Sequence, residues 1–353
     1  MKDHMAGLCL AQAELCSRLG SPMYAALLES AAEDVRAGGP TWEVLRDLAG
    51  CSEGAYPALR LLGSVHRVVL EGRAPELAVH YPSVGGTPGE GLWEAFRAVV
   101  VEHSDELRAL VEQPPQTNEV GRSAALLGGF TTVAGRTGLP LRVLEVGTSA
   151  GLNLLWDRYR YESDSWSWGD ADAPVVIDDV FDGPAPDLAP ARVVERAGCD
   201  LDPVDVTQDA GRLTLLSFIW PDQHVRRGRL EAAIQAFRDA DPQPAVERAD
   251  ALTWLDERLA QRLPGVATVV THSVVVTYFD DESRRALDEL LTRHGRAATP
   301  DAPLARLSLE ADSSGQFEVR LRSWPSGVEE LLGTVGGHGL PVRWASSLTP
   351  AHA

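Results

Sequence analysis

The sequence contains one lysine, four cysteines and no long apolar run. Lys2 is the single lysine, so the rest of the positive charge comes from arginine, and the formal net charge of the 353 residues is -19. A protein of this charge repels polyanions on average, so we expect neither a nucleic acid nor an anionic membrane as partner. No apolar stretch approaches the roughly 20 residues that a membrane-spanning helix needs.

The cysteines are too few and too dispersed for a disulfide scaffold or a zinc knuckle. The first residues lack the basic region and apolar run of a secretion signal. We therefore expect a cytoplasmic protein with reduced thiols and, because the histidines show no ligand spacing, no metal site. A small-molecule substrate is the expected ligand, and the acidic surface leaves a homodimer or a protein partner as alternatives.

The first third of the chain has apolar residues at helical spacing, as in the stretches 24–35 and 59–70. Glycine and proline punctuate these stretches, and Pro114 with Pro115 stops the last helix. The pattern predicts a helical N-terminal subdomain over residues 1–115 and a separate α/β domain over residues 116–353.

The most informative stretch runs from Leu141 to Tyr159. An apolar, β-branched run ending at Glu145 and Val146 breaks off into a turn of small residues, and apolar residues then resume at helical spacing. This order predicts strand, tight turn and helix. Small residues let a backbone approach a ligand closely, and the carboxyl ends of parallel strands are where open α/β sheets bind ligands.

Acidic residues also follow the next two predicted strands. Asp200, with Asp202 as second choice, ends one of them, and Asp250 ends the other. His272 interrupts an apolar fourth strand, where it either faces a cleft or is paired structurally. Asp250 is equally compatible with simple helix capping. The last section predicts strands that close in a hairpin around residues 336–339.

An insertion at about residues 161–190 interrupts the alternation of strands and helices. It is rich in aspartate and proline and contains Trp166 and Trp168. We interpret it as an acidic lid, because loops of this length are often functional. Tryptophan beside carboxylates suits a cationic or amine-bearing substrate, although a protein contact is equally compatible.

The turn pattern Glu145-x-Gly147-x-Ser149-x-Gly151 resembles the first motif of class I S-adenosylmethionine-dependent methyltransferases, with Ser149 in place of the middle glycine. The resemblance implies a Rossmann-like, seven-stranded sheet of order 3-2-1-4-5-7-6 that ends in an antiparallel hairpin. It also implies that Glu145, Gly147, Ser149 and Gly151 hold the methionine part of the cofactor. Asp200 would then bind the ribose and Asp250 the adenine.

Longer segments are similar to an uncharacterised bacterial family, domain of unknown function 2332. These segments are QTNEVGR, LEVGTSAGLNL, GCDLDPVDV, WPDQ and the strand that contains THS. The resemblance covers nearly the whole chain. It implies a helical N-terminal part joined to a methyltransferase-like domain, without an assigned reaction.

The leading hypothesis is S-adenosylmethionine-dependent methyl transfer to a small molecule beneath the lid. His272 would deprotonate or orient the substrate nucleophile. Glu119 and Arg122 precede the first strand and would point polar groups at the cleft, although helix capping and a mutual ion pair explain them equally well. The remaining expected substrate contacts are Asn118, Asn153, Trp166, Trp168 and Tyr278.

Three alternatives stay open. Ser149 and the long insertion suggest a remodelled cleft, in which a cofactor-independent enzyme would run an intramolecular substitution or an elimination on a biosynthetic intermediate. Glu119, Arg122, Glu145 or His272 would then orient an amine and an anionic leaving group. The segment 147–151 also satisfies G-x-S-x-G, the turn of serine hydrolases, with Asp280 or Asp281 and His294 or His338 as partners. A non-catalytic partner subunit is the last alternative.

Overall fold

A computed structural model describes residues 1–51 and 53–345 of the chain. In chain order the α-helices are α1 (Lys2–Arg18), α2 (Pro22–Ala37), α3 (Pro40–Leu45), α4 (Pro57–Leu70), α5 (Pro75–Ala78), α6 (Leu92–Glu102), α7 (Ser104–Leu110), α8 (Arg122–Thr137), α9 (Asp209–Ser217), α10 (His224–Arg238), α11 (Ala251–Ala260) and α12 (Asp281–Arg296). The strands are β1 (Leu141–Val146), β2 (Arg160–Ser163), β3 (Trp166–Trp168), β4 (Val176–Asp178), β5 (Val193–Asp200), β6 (Ala245–Arg248), β7 (Ala267–Ser273), β8 (Leu304–Ala311), β9 (Phe317–Trp324), β10 (Val328–Val335) and β11 (Val342–Trp344). Residues 346–353 of the predicted α/β domain lie outside the described residues.

One compact unit consists of residues 1–117 together with 207–228. Its apolar core draws on α1, α2, α4 and α6, and Trp220 from the second segment belongs to the same cluster. The ring of Trp220 lies 6.3 Å from that of Tyr24, and the carbonyl of Ser217 bonds to His66 at 3.1 Å. The sequence pattern predicts that the segment 207–228 belongs to the α/β domain. These buried contacts instead group it with the N-terminal helices.

The second unit consists of residues 118–206 and 229–345. Among the described residues its main sheet has the order β11-β10-β9-β8-β7-β1-β5-β6. The five strands from β6 to β8 are parallel. Numbered along the chain, these five have the expected order 3-2-1-4-5. Strand β1 is buried along its whole length, as is typical of a parallel strand that helices cover on both faces.

The remaining strands of the main sheet are antiparallel. Strand β9 pairs with β8, β10 with β9 and β11 with β10. The C-terminal antiparallel hairpin is therefore present, but the sheet continues as a meander. Among the described residues the sheet has eight strands, and its last three follow one another in chain order, which differs from the expected seven strands with a final 7-6 order. Short turns connect these strands, so each one pairs with the strand just before it in the chain.

The turn that follows β1 leads into a short helix and then into the predicted lid. A 3-10 helix covers Leu152–Arg158 in place of the expected α-helix. The lid itself has regular structure, because strands β2, β3 and β4 form a separate sheet of order β3-β2-β4. The hydroxyl of Tyr159 donates to the carbonyl of Leu152 at 2.6 Å, and that of Tyr161 donates to the carbonyl of Trp156 at 2.8 Å. These two bonds fold the chain back directly after a short helix.

Candidate functional site

The turn after β1 is built by residues in the left-handed region. Gly147, Ser149 and Gly151 have φ of 66°, 53° and 78°. A Cβ on Gly147 would lie 1.9 Å from a methyl group of Val275, and one on Gly151 would lie 2.6 Å from a methyl group of Val246. Both positions therefore require glycine for close packing as well as for backbone conformation.

The backbone of this turn is bonded directly to the end of β5. The N–H groups of Gly147 and Thr148 donate to the carbonyl of Cys199 at 2.9 and 3.1 Å. The N–H of Ser149 donates to Oδ2 of Asp200 at 2.9 Å, and the carbonyl of Ser149 accepts from Val204 at 3.2 Å. The carboxyl ends of β1 and β5 are thus joined by protein hydrogen bonds.

These bonds decide how well the site fits S-adenosylmethionine. The resemblance implies a ribose on the carboxylate of Asp200, but Oδ2 accepts from Ser149 and Oδ1 accepts from the N–H of Asp202 at 2.9 Å. Asp250 caps α11 by accepting from the N–H and the hydroxyl of Thr253, each at 3.0 Å. Each of these carboxylates therefore holds protein groups, but a carboxylate can accept up to about four hydrogen bonds, so the nucleoside contacts that the resemblance implies stay predictions.

Glu145 is the buried acid at the carboxyl end of β1, with 3% of its surface exposed. Its Oε2 accepts a hydrogen bond from the hydroxyl of Thr148. Burial raises the pKa of Glu145 to about 8, and the negative charge of Asp200 acts in the same direction. The Thr148 hydrogen bond and the positive charge of Arg122 lower this pKa without cancelling the effect of burial. Glu145 is therefore mostly protonated at neutral pH.

The segment before α8 lies against the turn that follows β1. Oδ1 of Asn118 accepts from the N–H of Leu152 at 2.9 Å, and Nδ2 of Asn153 donates to the carbonyl of Glu119 at 3.2 Å. Arg122 donates from Nη1 to the carbonyl of Ser273 at 3.2 Å. Asn118 thus satisfies a helix N-terminus, while Arg122 reaches the end of β7.

Oδ1 of Asn153 and Oγ1 of Thr271 are buried and have no hydrogen-bond partner among the described residues. Thr271 pairs with Glu145 across β1 and β7, so the two side chains share one face of the sheet. An unpaired buried polar atom costs about 1–3 kcal/mol. Both atoms are therefore suited to hydrogen bonding with a polar ligand.

The loop between β10 and β11 adds His338 to the same region. Its Nδ1 lies 3.8 Å from Oε2 of Glu119. Oε1 of Glu119 accepts from the N–H of Gly121 at 3.2 Å. The sequence suggests His338 only as a hydrolase residue, and nothing in it pairs His338 with Glu119. The glycines on either side of His338 are the sequence signal that a close backbone approach places it there.

His272 lies on the other face of the sheet from Glu145. It pairs with Val146, which belongs to the apolar cluster against α11 and α12. Its Nδ1 lies 2.6 Å from Glu310, and its Nε2 accepts from Nε of Arg306 at 3.0 Å. Burial, the largest cause, lowers the pKa of His272. Of the two interpretations left open, the structure therefore favours structural pairing, since both ring nitrogens are engaged away from the turn.

The aromatic candidates of the insertion pack against other aromatic rings. Trp168 stacks on Trp156 at 5.4 Å and donates from Nε1 to the carbonyl of Ala189 at 3.2 Å. Trp166 packs at 5.2 Å from Phe181. These contacts stabilise the small sheet. Tyr278, by contrast, is 53% exposed in the short 3-10 helix Val276–Tyr278.

The partners expected for a serine hydrolase are engaged elsewhere. Asp280 caps α12 by accepting from the N–H of Ser283 at 2.7 Å. Nε2 of His294 lies 2.6 Å from Asp256, and His338 lies beside Glu119. The structure therefore does not bring the expected acid and histidine together behind the G-x-S-x-G turn. Asp281, the other candidate acid, forms a 3.4 Å ion pair with Arg284.

Within the described ranges, no group of three or more histidine, cysteine, aspartate or glutamate residues is arranged to hold a metal ion. Over the same part of the chain, no helix has both the length and the apolar character needed to cross a membrane.

Comparison with known proteins gives a family and no closer relative. No curated protein and no solved structure matches the chain. A family model described as an uncharacterised protein conserved in bacteria, DUF2332, matches residues 8–344. The segments identified in the sequence as similar to this family all lie within that range. The chain therefore belongs to the DUF2332 family.

Proposed function

We propose that this protein is an enzyme that catalyses an elimination or an intramolecular substitution on a small polar substrate, with Glu145 as the proton donor and without S-adenosylmethionine. The observation that carries the proposal is the burial of Glu145 at the carboxyl end of the central strand β1. In open α/β sheets this edge is the usual ligand site. A buried carboxyl group in such a place is a recognised mark of acid-base chemistry.

Glu145 is suited to protonate a leaving group. Thr148 occupies Oε2, which leaves Oε1 to carry the acidic proton. Because the pKa of Glu145 is about 8, the acid holds this proton at neutral pH and can release it without a large energetic penalty. Arg122 adds positive charge close to Glu145, which favours an anionic group on the substrate.

The proposed step balances without a redox partner. The substrate loses a proton from a C–H or N–H bond to solvent, the freed electron pair forms a new C=C or C–N bond, and the bond from carbon to the leaving group breaks. The leaving group departs with the electron pair and takes the proton of Glu145. The product is lighter than the substrate by the protonated leaving group. Solvent then returns the enzyme to its starting protonation state.

The available polar atoms support a small polar substrate. Oδ1 of Asn153 is an acceptor and needs an N–H or O–H donor, whereas Oγ1 of Thr271 can donate or accept. Protonated Glu145 donates. A molecule that carries amine or hydroxyl groups would satisfy all three.

Methyl transfer is the second candidate. It is favoured by the 3-2-1-4-5 order of the parallel strands and by the Glu145-x-Gly147 turn at the end of β1. In that case the carboxylate of Asp200 would bind the ribose while it also accepts from the N–H groups of Ser149 and Asp202.

A metabolite-turnover experiment separates these candidates. Wild type, Glu145→Gln and the exposed control Glu257→Gln are incubated with a bacterial polar-metabolite extract, with and without S-adenosylmethionine, and followed by mass spectrometry. We expect wild type and E257Q to form a product of lower mass without the cofactor. General acid catalysis contributes roughly 100- to 10,000-fold, so E145Q should be slower by about that factor. A heavier, methylated product that needs the cofactor would contradict the proposal and support methyl transfer. The absence of any turnover would favour a non-catalytic subunit.

A further inference from the structure

A small cavity lies at the amino ends of β1, β7 and β8, at the edge of the sheet opposite to Glu145. Arg142 of β1 pairs with Thr268 of β7, and Thr268 pairs with Leu304 of β8. Residues paired across neighbouring strands share one face of the sheet, and Leu304 packs here in the apolar cluster formed with α11 and α12. The lining of this amino-edge cavity consists of Arg142, Leu259, Gln261, Arg262, Leu263, Thr268, His294, Ala298, Ala302, Pro303 and Leu304.

The amino-edge cavity is lined by positive and neutral groups. None of the described residues that line it carries a carboxylate, although the chain has 51 aspartate and glutamate residues against 32 lysine and arginine residues. His294 is paired with Asp256 through Nε2 at 2.6 Å. Arg262, by contrast, forms no hydrogen bond or ion pair with any part of the chain that the structure describes. Its charge is therefore available to a ligand.

Arg142 covers the groups that would repel an anion from this cavity. The last carbonyls of a helix carry partial negative charge. Nη1 of Arg142 donates to two such carbonyls after α11, those of Arg258 and Gln261, each at 2.9 Å. Nε of Arg142 lies 3.0 Å from Oε1 of Glu195, which is outside the lining. Arg142 is thus neutralised by its own contacts, and Arg262 supplies the net charge of the site.

Thr268 supplies a donor on the inner side of the cavity. The residue is 8% exposed, and its backbone N–H donates to the carbonyl of Pro303 at 3.0 Å. Within the described ranges its hydroxyl has no hydrogen-bond partner. Arg262 is exposed and lies on the solvent side. A ligand in the cavity would therefore meet a hydroxyl on one side and a guanidinium on the other.

We infer that the amino-edge cavity binds one small inorganic anion of the size of chloride, through the hydroxyl of Thr268 and the guanidinium of Arg262. The volume of the cavity is about 20 Å³. One water molecule needs about 10–15 Å³, so the cavity accommodates a single ion and excludes a metabolite. The bound ion would tie the ends of α11 and α12 to the sheet. This inference is independent of the reaction proposed at Glu145.

Chloride NMR measures this binding, because a bound chloride in exchange broadens the resonance of the bulk ion. We expect wild type to add line width that bromide removes by competition and that the bulky gluconate ion does not. Arg262→Gln and Thr268→Val each remove one donor to an ion and should weaken binding by about 10- to 100-fold. Thr268→Ser keeps the hydroxyl and should bind as wild type does. The matched control Arg36→Gln, which removes an exposed arginine of α2, should leave the line width unchanged.

Urea unfolding provides a second readout, because a ligand of the folded state raises the unfolding free energy. At equal ionic strength, sodium chloride should stabilise wild type and T268S relative to sodium gluconate, and it should not stabilise R262Q or T268V. Equal line widths in wild type, R262Q and T268V would mean general attraction to surface arginines and would overturn the inference. Stabilisation by inorganic phosphate without any by chloride would also overturn it, because the ligand would then be larger than the cavity.

Discussion

Replacing Glu145 by glutamine keeps the shape of the side chain and removes its titration. Burial is the main reason that the pKa of Glu145 rises from an ordinary 4.5 to about 8. The folded state therefore binds this proton more tightly than the unfolded state does. The contribution of Glu145 to stability is greatest below pH 4.5 and falls as the pH rises to about 8. At about 1.4 kcal/mol per pKa unit, wild type should lose about 4 kcal/mol relative to E145Q between pH 5 and pH 9.

Two measurements check this prediction. In a carbon NMR titration of the glutamate carboxyl groups, the resonance that E145Q lacks should have its midpoint near pH 8. In urea titrations at pH 5, 7 and 9, the unfolding free energy of wild type relative to that of E145Q should decrease as the pH rises. The exposed variant Glu257→Gln is the assignment control, and it should remove a different resonance. A midpoint below pH 6, together with a pH-independent difference in unfolding free energy, would refute the reasoning.

Three further predictions follow from single contacts. Because the Thr148 hydroxyl lowers the pKa of Glu145, Thr148→Val should raise the NMR midpoint and Thr148→Ser should not; equal midpoints would contradict the contact. Gly147→Ala should lower the unfolding free energy by about 2–4 kcal/mol, because its Cβ meets Val275 and its φ is positive. Adding Val275→Ala to G147A should recover only the part of the lost unfolding free energy that comes from the clash, as measured by urea titration. A G147A protein as stable as wild type would contradict the close contact between Gly147 and Val275. Burial lowers the pKa of His66 to about 4 from 6.5, so stability should fall by about 3 kcal/mol as the pH drops from 6.5 to 4. His66→Gln should abolish that dependence, and a constant difference between the two proteins would count against it.

Much of the fold of the second unit was predictable because its strands have a local signal. The run Leu141–Val146 is apolar and β-branched, and it forms β1 over those residues. The C-terminal hairpin was predictable from its glycine-rich turn. The short 3-10 helix after the turn was not, because the hydrogen bonds that end it come from the hydroxyls of Tyr159 and Tyr161. Such bonds between side chain and backbone leave no periodic pattern.

The sequence indicates several residues that lie near the turn after β1, but it does not indicate which way their side chains point. Glu145, Arg122 and Asn118 do meet at the turn. Whether a strand residue faces α8 or α12 depends on the register of two strands, and a shift of one residue exchanges the faces. The sequence does not contain the register that pairs Glu145 with Thr271, and this pairing puts His272 on the far side. Likewise, Asp200 follows its strand as expected, but a sequence does not tell whether its oxygens meet a ligand or an amide.

The contact between buried His272 and half-buried Glu310 is explained by the loop that follows β7. Val274 has a φ of 55°, which is strained for a β-branched residue. The next residue, Val275, places its methyl group against Gly147 and donates its N–H to Oε1 of Glu310 at 3.2 Å. That same oxygen lies 2.6 Å from His272. A strained conformation persists only where its surroundings over-determine it. Glu310 and His272 therefore fix Val275 against Gly147 from the opposite face of the sheet. This contact keeps the end of β7 beside Glu145.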